Sequence, residues 1–294
     1  MPPGISDAMA DAAAKLSAAG VDSPRLVAQV LLAHTLGVPR AHIMAYSPKQ
    51  PLQPHQFATY RTLVARCVAG EPMAYVVGHT EFYALDFLTD RRALIPRPET
   101  EQLVELALAR IKSQISSKPQ IVDVGTGSGC VVVTLAVSLP DARFIATDIS
   151  ADALALAHEN ARRHKVSSRI QFLRGDLLAP VPLRAEGAVA NLPYVTTAEW
   201  QSLPRHICEH EPRIALDGGA DGLDLIRRLF SQAPRYVKPD GWVLVEIGAT
   251  QGAAVSALAR QAFPLAAVDL RRDYAGLTRV VEIQFRAVPG VRMR

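Results

Sequence analysis

The sequence is short of the features that mark several protein classes. Its three cysteines, Cys67, Cys130 and Cys208, are scattered over 294 residues. That spacing excludes a disulfide framework and fits a reducing, cytoplasmic setting. No apolar run approaches the length of a membrane span. Met1 to Gly20 lacks a basic start followed by an apolar stretch, so no signal peptide is expected. There is no internal repeat, no low-complexity tract and no Gly-x-Ser-x-Gly elbow of a hydrolase. His206, Cys208, Glu209 and His210 cluster without a second ligand pair at matching spacing, so no metal is expected. The formal charge is only +4, and residues 1–86 are neutral, with six basic and six acidic side chains. The excess in residues 87–294 favours an acidic partner nearby but is too small to argue for specific nucleic-acid binding.

What is present is apolar material, 49% of the residues, in a chain long enough for one large and one small domain. Residues 1–74 read as short amphipathic helices over Met9–Ala19, from Ser23-Pro24 to near Gly37, over Ala41–Tyr46 and from His55 to Ala69. Residues 75–95 read as a linker, where Phe82, Tyr83, Leu85, Phe87 and Leu88 suggest a hairpin. From residue 96 to 294 strands and helices alternate, which predicts a doubly wound, mostly parallel sheet. Strands are expected at Ile121–Val124, Arg143–Asp148, Ile170–Leu173, Gly187–Ala190, Gly241–Gly248, Ala267–Leu270 and Arg279–Ile283.

Four strand ends carry the candidate chemistry. After Ile121–Val124 comes Gly125-Thr126-Gly127-Ser128-Gly129, whose glycines allow close backbone approach and positive φ. A dinucleotide fingerprint would need glycine at position 130, which is Cys. The acidic residue before the loop better fits the S-adenosyl-L-methionine loop of Rossmann-like methyltransferases. Asp148 closes the second strand and is placed to accept from two ribose hydroxyls, with a helix N-cap as its plain alternative. Asp176 is placed to accept from an adenine amino group and Leu177 to pack on the ring, the alternative being a solvated turn. Asn191-Leu192-Pro193-Tyr194 offers an amide, a carbonyl before proline and an aromatic ring. The set suits a planar, neutral, NH2-bearing substrate, held by two acceptors and covered by the ring. A proline turn capped by a core tyrosine would have the same residues.

Ile95-Pro96-Arg97-Pro98-Glu99-Thr100-Glu101 resembles the hallmark that precedes the catalytic domain of HemK-type protein glutamine methyltransferases. The glycine loop, Asp148, Gly175-Asp176, Asn191–Tyr194, Glu211-Pro212, Gly218-Gly219 and Asp221-Gly222-Leu223 follow in that family's order, and Gly78 with Glu81-Phe82-Tyr83 resembles its interdomain segment. The likeness runs from residue 71 onward. It implies a class I fold with a seven-stranded sheet and an antiparallel last strand, S-adenosyl-L-methionine as cofactor, and the glutamine of the Gly-Gly-Gln motif of peptide-chain release factors as acceptor. It also implies that Asn191, Leu192, Pro193 and Tyr194 are catalytic and that the helical bundle grips the release factor. The enzyme is expected to work as a monomer. Glu99 and Glu101 are read as first-turn acids of a helix, not as catalysts.

One position departs from the pattern. The family usually has Asn-Pro-Pro-Tyr, and position 192 is Leu. Asn-Leu-Pro-Tyr also occurs in ribosomal RNA adenine dimethyltransferases, which keeps adenine-N6 methylation of RNA or DNA as an alternative. A non-catalytic adaptor that only binds the cofactor is a second one. The carbonyl of residue 192 is a backbone group that Leu still supplies, and Leu192 before Pro193 stays extended.

Overall fold

The computed structural model describes residues 3–113 and 119–286. Residues 114–118 and 287–294, inside the expected catalytic domain, and the first two of the expected bundle lie outside the described residues. By contacts the chain forms two compact units. The first holds the residues up to His79 together with Pro204–His210, and the second holds Thr80–Leu203 and the chain from Glu211 on.

The first unit contains helices α1 (Ile5–Ala18), α2 (Pro24–Leu36), α3 (Pro54–Val68) and α4 (Met73–Val77). α1 starts earlier than the sequence suggests, because Ile5 and Ala8 extend the buried stripe of Ala12 and Leu16 by one turn. Pro24 sits at the start of α2 and Gly37 ends it with φ 66°. The expected third helix is a 3-10 helix, Arg40–Ala45, with only Ile43 buried. The core is built on Leu16, Leu31, Leu32 and Tyr60, and the Tyr60 hydroxyl donates to the Ala28 carbonyl at 3.0 Å.

A two-stranded sheet follows, β1 (His79–Phe82) and β2 (Leu85–Leu88), which from Thr80 on belongs to the second unit. Tyr83 and Ala84 between them have φ of 51° and 57°, the left-handed pair that a two-residue hairpin turn needs. Glu101 accepts from the Tyr83 N–H at 2.8 Å, which helps hold this unusual turn. After it come α5 (Glu101–Ser113), β3 (Gln120–Val124), α6 (Cys130–Ser138), β4 (Arg143–Asp148), α7 (Ala151–Arg163), β5 (Ile170–Arg174) and β6 (Ala185–Ala190). Then follow α8 (Thr197–Ser202), the short α9 (Arg205–Cys208), which belongs to the first unit, α10 (Asp224–Tyr236), β7 (Val237–Glu246), α11 (Gly252–Ala262), β8 (Ala267–Arg272) and β9 (Thr278–Gln284).

Seven strands form one sheet in the order β5-β4-β3-β6-β7-β9-β8. The first five are parallel, and β9 runs antiparallel to β7 and β8. This is the Rossmann-like class I architecture, with the last strand inserted against the grain. Alternation along β3 sends Ile121 to the α5 and α6 face and Val122 and Val124 to the α10 and α11 face.

The register positions the site. Val124 pairs with Thr147 on one side and Ala190 on the other. The loops after β3, β4 and β6 therefore emerge side by side from one edge of the sheet. The order reverses between β3 and β6, and ligands of open α/β sheets bind at such a reversal.

Candidate active site

A cleft of about 520 Å³ opens at that edge, within the ~300–1,000 Å³ of small-molecule sites. It is lined by the loops after β3, β4, β5 and β6, by the segment 92–97 before α5 and by residues between Pro212 and Arg228. Gly125, Thr126, Gly127, Ser128, Asp148, Asp176, Leu177, Asn191, Leu192 and Pro193 all line it. Two expected site residues are placed elsewhere. Gly129 turns into α6 with φ 80° and lies tight against Ala157. Tyr194 is not on the lining; its ring lies beside Gly248 and its hydroxyl faces Glu246.

Asp148 is held by the loop it faces. Its Oδ2 accepts from the Gly127 N–H at 2.9 Å and its Oδ1 from the Ser150 N–H at 2.9 Å. The N-cap of α7 is Ser150, which accepts from Ala153 N–H, so Asp148 does not have that role. Burial raises the Asp148 pKa, and the N–H groups of Ser150, Gly127 and Ile149 oppose the rise. Each carboxylate oxygen keeps a lone pair for a further donor. Asp123, wholly buried beneath the loop, accepts from the Thr126 hydroxyl at 2.6 Å, and burial pushes its pKa up to about 7.

Asp176 is ion-paired with Arg228, and Gln232 Nε2 reaches the same Oδ2 at 3.4 Å. Its other oxygen is the one left for a ligand. Leu177 sits at φ 52° with its side chain in the core, held by the bond from Leu178 N–H to Gln232 Oε1 at 2.8 Å. A left-handed leucine stores strain, and such strain persists only where the surroundings fix it.

Leu192 explains itself once packed. Its side chain is 3% exposed and belongs to the core. A Cβ on Gly125 would stand 2.9 Å from Leu192 Cδ2 and 3.9 Å from the Asn191 carbonyl oxygen, and Gly125 has φ 72°. The glycine is needed both for its dihedral and so that the two loops can touch. Hydrophobic packing thus supports Leu192 where proline would have supplied rigidity.

Several contributors carried no sequence signal of their own. Asn191 Nδ2 donates to Thr100 Oγ1 at 3.0 Å, and Thr100 is 1% exposed. Glu211 accepts from Ile95 N–H at 3.1 Å and from Arg97 at 2.6 Å, pinning the segment that walls the cleft. The string 216–222 braces residues 191–195 from behind: Val195 N–H donates to the Leu216 carbonyl at 3.1 Å and Gly218 N–H to the Val195 carbonyl at 2.8 Å. A Cβ on Gly222 would stand 2.2 Å from the Tyr194 carbonyl oxygen. Gln251 completes the brace, donating to that carbonyl at 2.9 Å and accepting from Gly248 N–H at 2.9 Å. Thr100, Glu211, Gly218 and Gly222 lie in strings that the sequence singled out without giving them a task. Glu246 read only as a strand residue.

Two family descriptions match: residues 7–78 match the PrmC N-terminal domain and residues 121–210 a methyltransferase domain. The release factor glutamine methyltransferase of Nitratidesulfovibrio vulgaris is 41% identical over 271 residues, covering 91% of this chain and 90% of that protein. That of Moorella thermoacetica is 41% identical, covering 94% and 96%. The relative from Cereibacter sphaeroides is 38% identical over 282 residues, covering 96% and 99%. The chain belongs to the release factor glutamine methyltransferase family. Among solved structures, a methyltransferase from Pyrococcus furiosus superposes with TM-score 0.52 at 15% identity, over 76% of this chain and 98% of that one. The Mettl16 catalytic domain, in complex with an RNA hairpin, reaches 0.56 at 15% identity, over 78% and 82%. Both share the fold. The family membership is carried by near-complete coverage of both chains, including the helical unit.

The cleft suits the cofactor of such a methyltransferase. The bare Gly125 backbone, a doubly anchored Asp148 with lone pairs to spare, and the unshared oxygen of Asp176 match a ribose and an adenine edge. Among the described residues no group of three or more His, Cys, Asp and Glu is arranged to hold a metal, and no helix is long and apolar enough to cross a membrane.

Proposed function

We propose that this enzyme transfers a methyl group from S-adenosyl-L-methionine to N5 of the glutamine in the Gly-Gly-Gln motif of peptide-chain release factors, acting as a single chain in the cytoplasm in support of translation termination. The observation that carries the reading is the posture of Asn191. Its Nδ2 is committed to Thr100 while the residue lines the cleft, which leaves Oδ1 as the acceptor for a substrate N–H. The Leu192 carbonyl is the second acceptor. The cofactor supplies an electrophilic methyl carried on a sulfonium.

An amide nitrogen is a weak nucleophile because its lone pair is delocalised into the carbonyl. Two acceptors that each take one N–H fix the amide plane and turn the lone pair toward the methyl carbon. They would also stabilise the positive charge that grows on the substrate nitrogen as it takes the methyl group, whose former bonding pair would stay with the sulfur. Orientation supplies much of the rest. The methylated nitrogen then loses a proton to water. Asp148 would hold the ribose, Asp176 and Leu177 the adenine, and the loop from Gly125 to Ser128 would lie along the cofactor. Pro193 fixes the approach of the loop, and Tyr194 anchors it from below the cleft. The bundle, which matches the N-terminal domain of the same family, is assigned to gripping the release factor.

The test is mass spectrometry of the Gly-Gly-Gln peptide after incubation of purified release factor with enzyme and cofactor, beside parallel arms with RNA and DNA. One added methyl on the glutamine is the expected result. Methyl appearing only on adenine would support the nucleic-acid alternative, which the Asn-Leu-Pro-Tyr string suggests. Cofactor binding by calorimetry with no transfer in any arm would leave the adaptor.

A further inference from the structure

The amide of Asn191 is symmetric enough in shape to sit either way round, and only one orientation offers an acceptor to substrate. What decides the orientation is the chain of groups behind it. Thr100 Oγ1 accepts from Asn191 Nδ2 at 3.0 Å, so the threonine hydroxyl must send its own hydrogen elsewhere. Behind Thr100 lies Glu246, at the end of β7 and 1% exposed. The hydroxyls of Thr100 and Tyr194 face its carboxyl, while Oε2 is left without a hydrogen-bond partner among the described residues.

From this arrangement, and resting on the amide-transfer reading above, we propose that Thr100 and Glu246 are positioning residues that fix Asn191 with Oδ1 toward the acceptor. An ionised carboxylate can only accept. It therefore directs the Thr100 hydrogen toward itself, which makes the Thr100 oxygen an acceptor for Nδ2 and leaves Oδ1 facing the cleft. A protonated Glu246 can donate instead. The Thr100 hydroxyl is then free to donate to the amide, and the reversed amide would present N–H to substrate N–H.

The surroundings set where this change falls. Burial pushes the Glu246 pKa up to about 7, opposed by Thr100 and by Arg279 on β9, assisted by Glu99 ahead of α5, and opposed again by Tyr194. The Cys130 thiol on α6 also lies within the field of Glu246. An acid limb in kcat is expected, activity being lost as the pH falls and Glu246 takes up a proton.

The chain has only two asparagines, Asn160 and Asn191, so labelling asparagine with nitrogen-15 gives two pairs of side-chain amide signals. Asn160 is bonded to Leu88 and Ser128 and serves as internal control. In Thr100→Val, which keeps the shape, the Asn191 amide protons should shift and lose their protection from exchange while those of Asn160 do not. Its kcat should fall about 10- to 100-fold, with cofactor affinity changed less than about threefold. Thr100→Ser should restore both spectrum and rate. Glu246→Gln, whose amide donates at any pH, should be slow and lack the acid limb. Wild-type kcat in Thr100→Val with unmoved Asn191 signals would overturn the proposal, as would an acid limb kept in Glu246→Gln. The spectra need no acceptor. A wild type that transfers nothing to release factor would sink the amide-transfer reading, and the Thr100→Val spectrum would still decide the orientation of Asn191.

Discussion

Asn191 has one task for each arm of its amide: Nδ2 anchors and Oδ1 receives. Truncation therefore removes an acceptor that is needed most when charge develops on the substrate nitrogen. Asn191→Ala is expected to lower kcat about 100- to 1,000-fold while calorimetry shows cofactor affinity changed much less. An equal loss of both would make Asn191 a cofactor or structural residue. A second prediction concerns Asp123, whose carboxyl moves from 3.8 to about 7 chiefly through burial. Its folded pKa lies above its unfolded one, so the folded state holds the proton more tightly, and stability from this group is lost as pH rises from about 4 to about 7. Asn at this position does not titrate. Without cofactor, Asp123→Asn should gain on the wild type as pH increases, by up to the order of 4 kcal/mol above pH 7. Urea titrations across that range measure it, and a stability difference that does not change with pH would rule it out.

At the scale of elements, the site is a set of strand ends and the loops that tie them. Glu211 is the clearest tie: its side chain is 1% exposed and joins Ile95 and Arg97, residues more than a hundred positions earlier. Cutting the side chain off strands a buried backbone N–H, costing about 1–3 kcal/mol, and frees an arginine that water can reach. Glu211→Ala should weaken cofactor binding by roughly 10-fold or more, because Ile95 to Arg97 form a wall of the cleft. Glu211→Gln, which still accepts from one partner, should lose less. Unchanged affinity in Glu211→Ala would mean that the wall is held by other contacts. These ties were opaque beforehand. The glycine loop and Asp148 were legible because local spacing dictates them, whereas the partner of Arg97 is a contact across the fold that no periodicity encodes.

On the scale of the molecule, two units each enclose a core of their own. The helical one borrows Pro204–His210 from between α8 and α10, so its chain is not continuous. Unfolding should show two transitions, one per core. S-adenosyl-L-methionine at about 100 times its Kd should stabilise the sheet unit by about 2.7 kcal/mol and leave the helical unit where it was. Calorimetric scans with and without cofactor measure both shifts, and a single transition moving as a whole would show that the units unfold together.

The sequence by itself determined the order of strands and helices, the antiparallel last strand, and the placing of Gly125 to Ser128, Asp148, Asp176 and Asn191 at strand ends. These follow from hydrophobic alternation, glycine spacing and a string of residues shared with a family, all of which are local. The tertiary structure decided what the local pattern could not hold. It turned Tyr194 toward Glu246 and away from the cleft, and packed Leu192 onto Gly125. It also assigned Ser150, not Asp148, to cap α7, and placed Thr100 behind Asn191. Each of these is a choice between neighbours far apart in the chain, made by burial and by the need of buried polar groups for partners, and it exists only once the strands lie side by side.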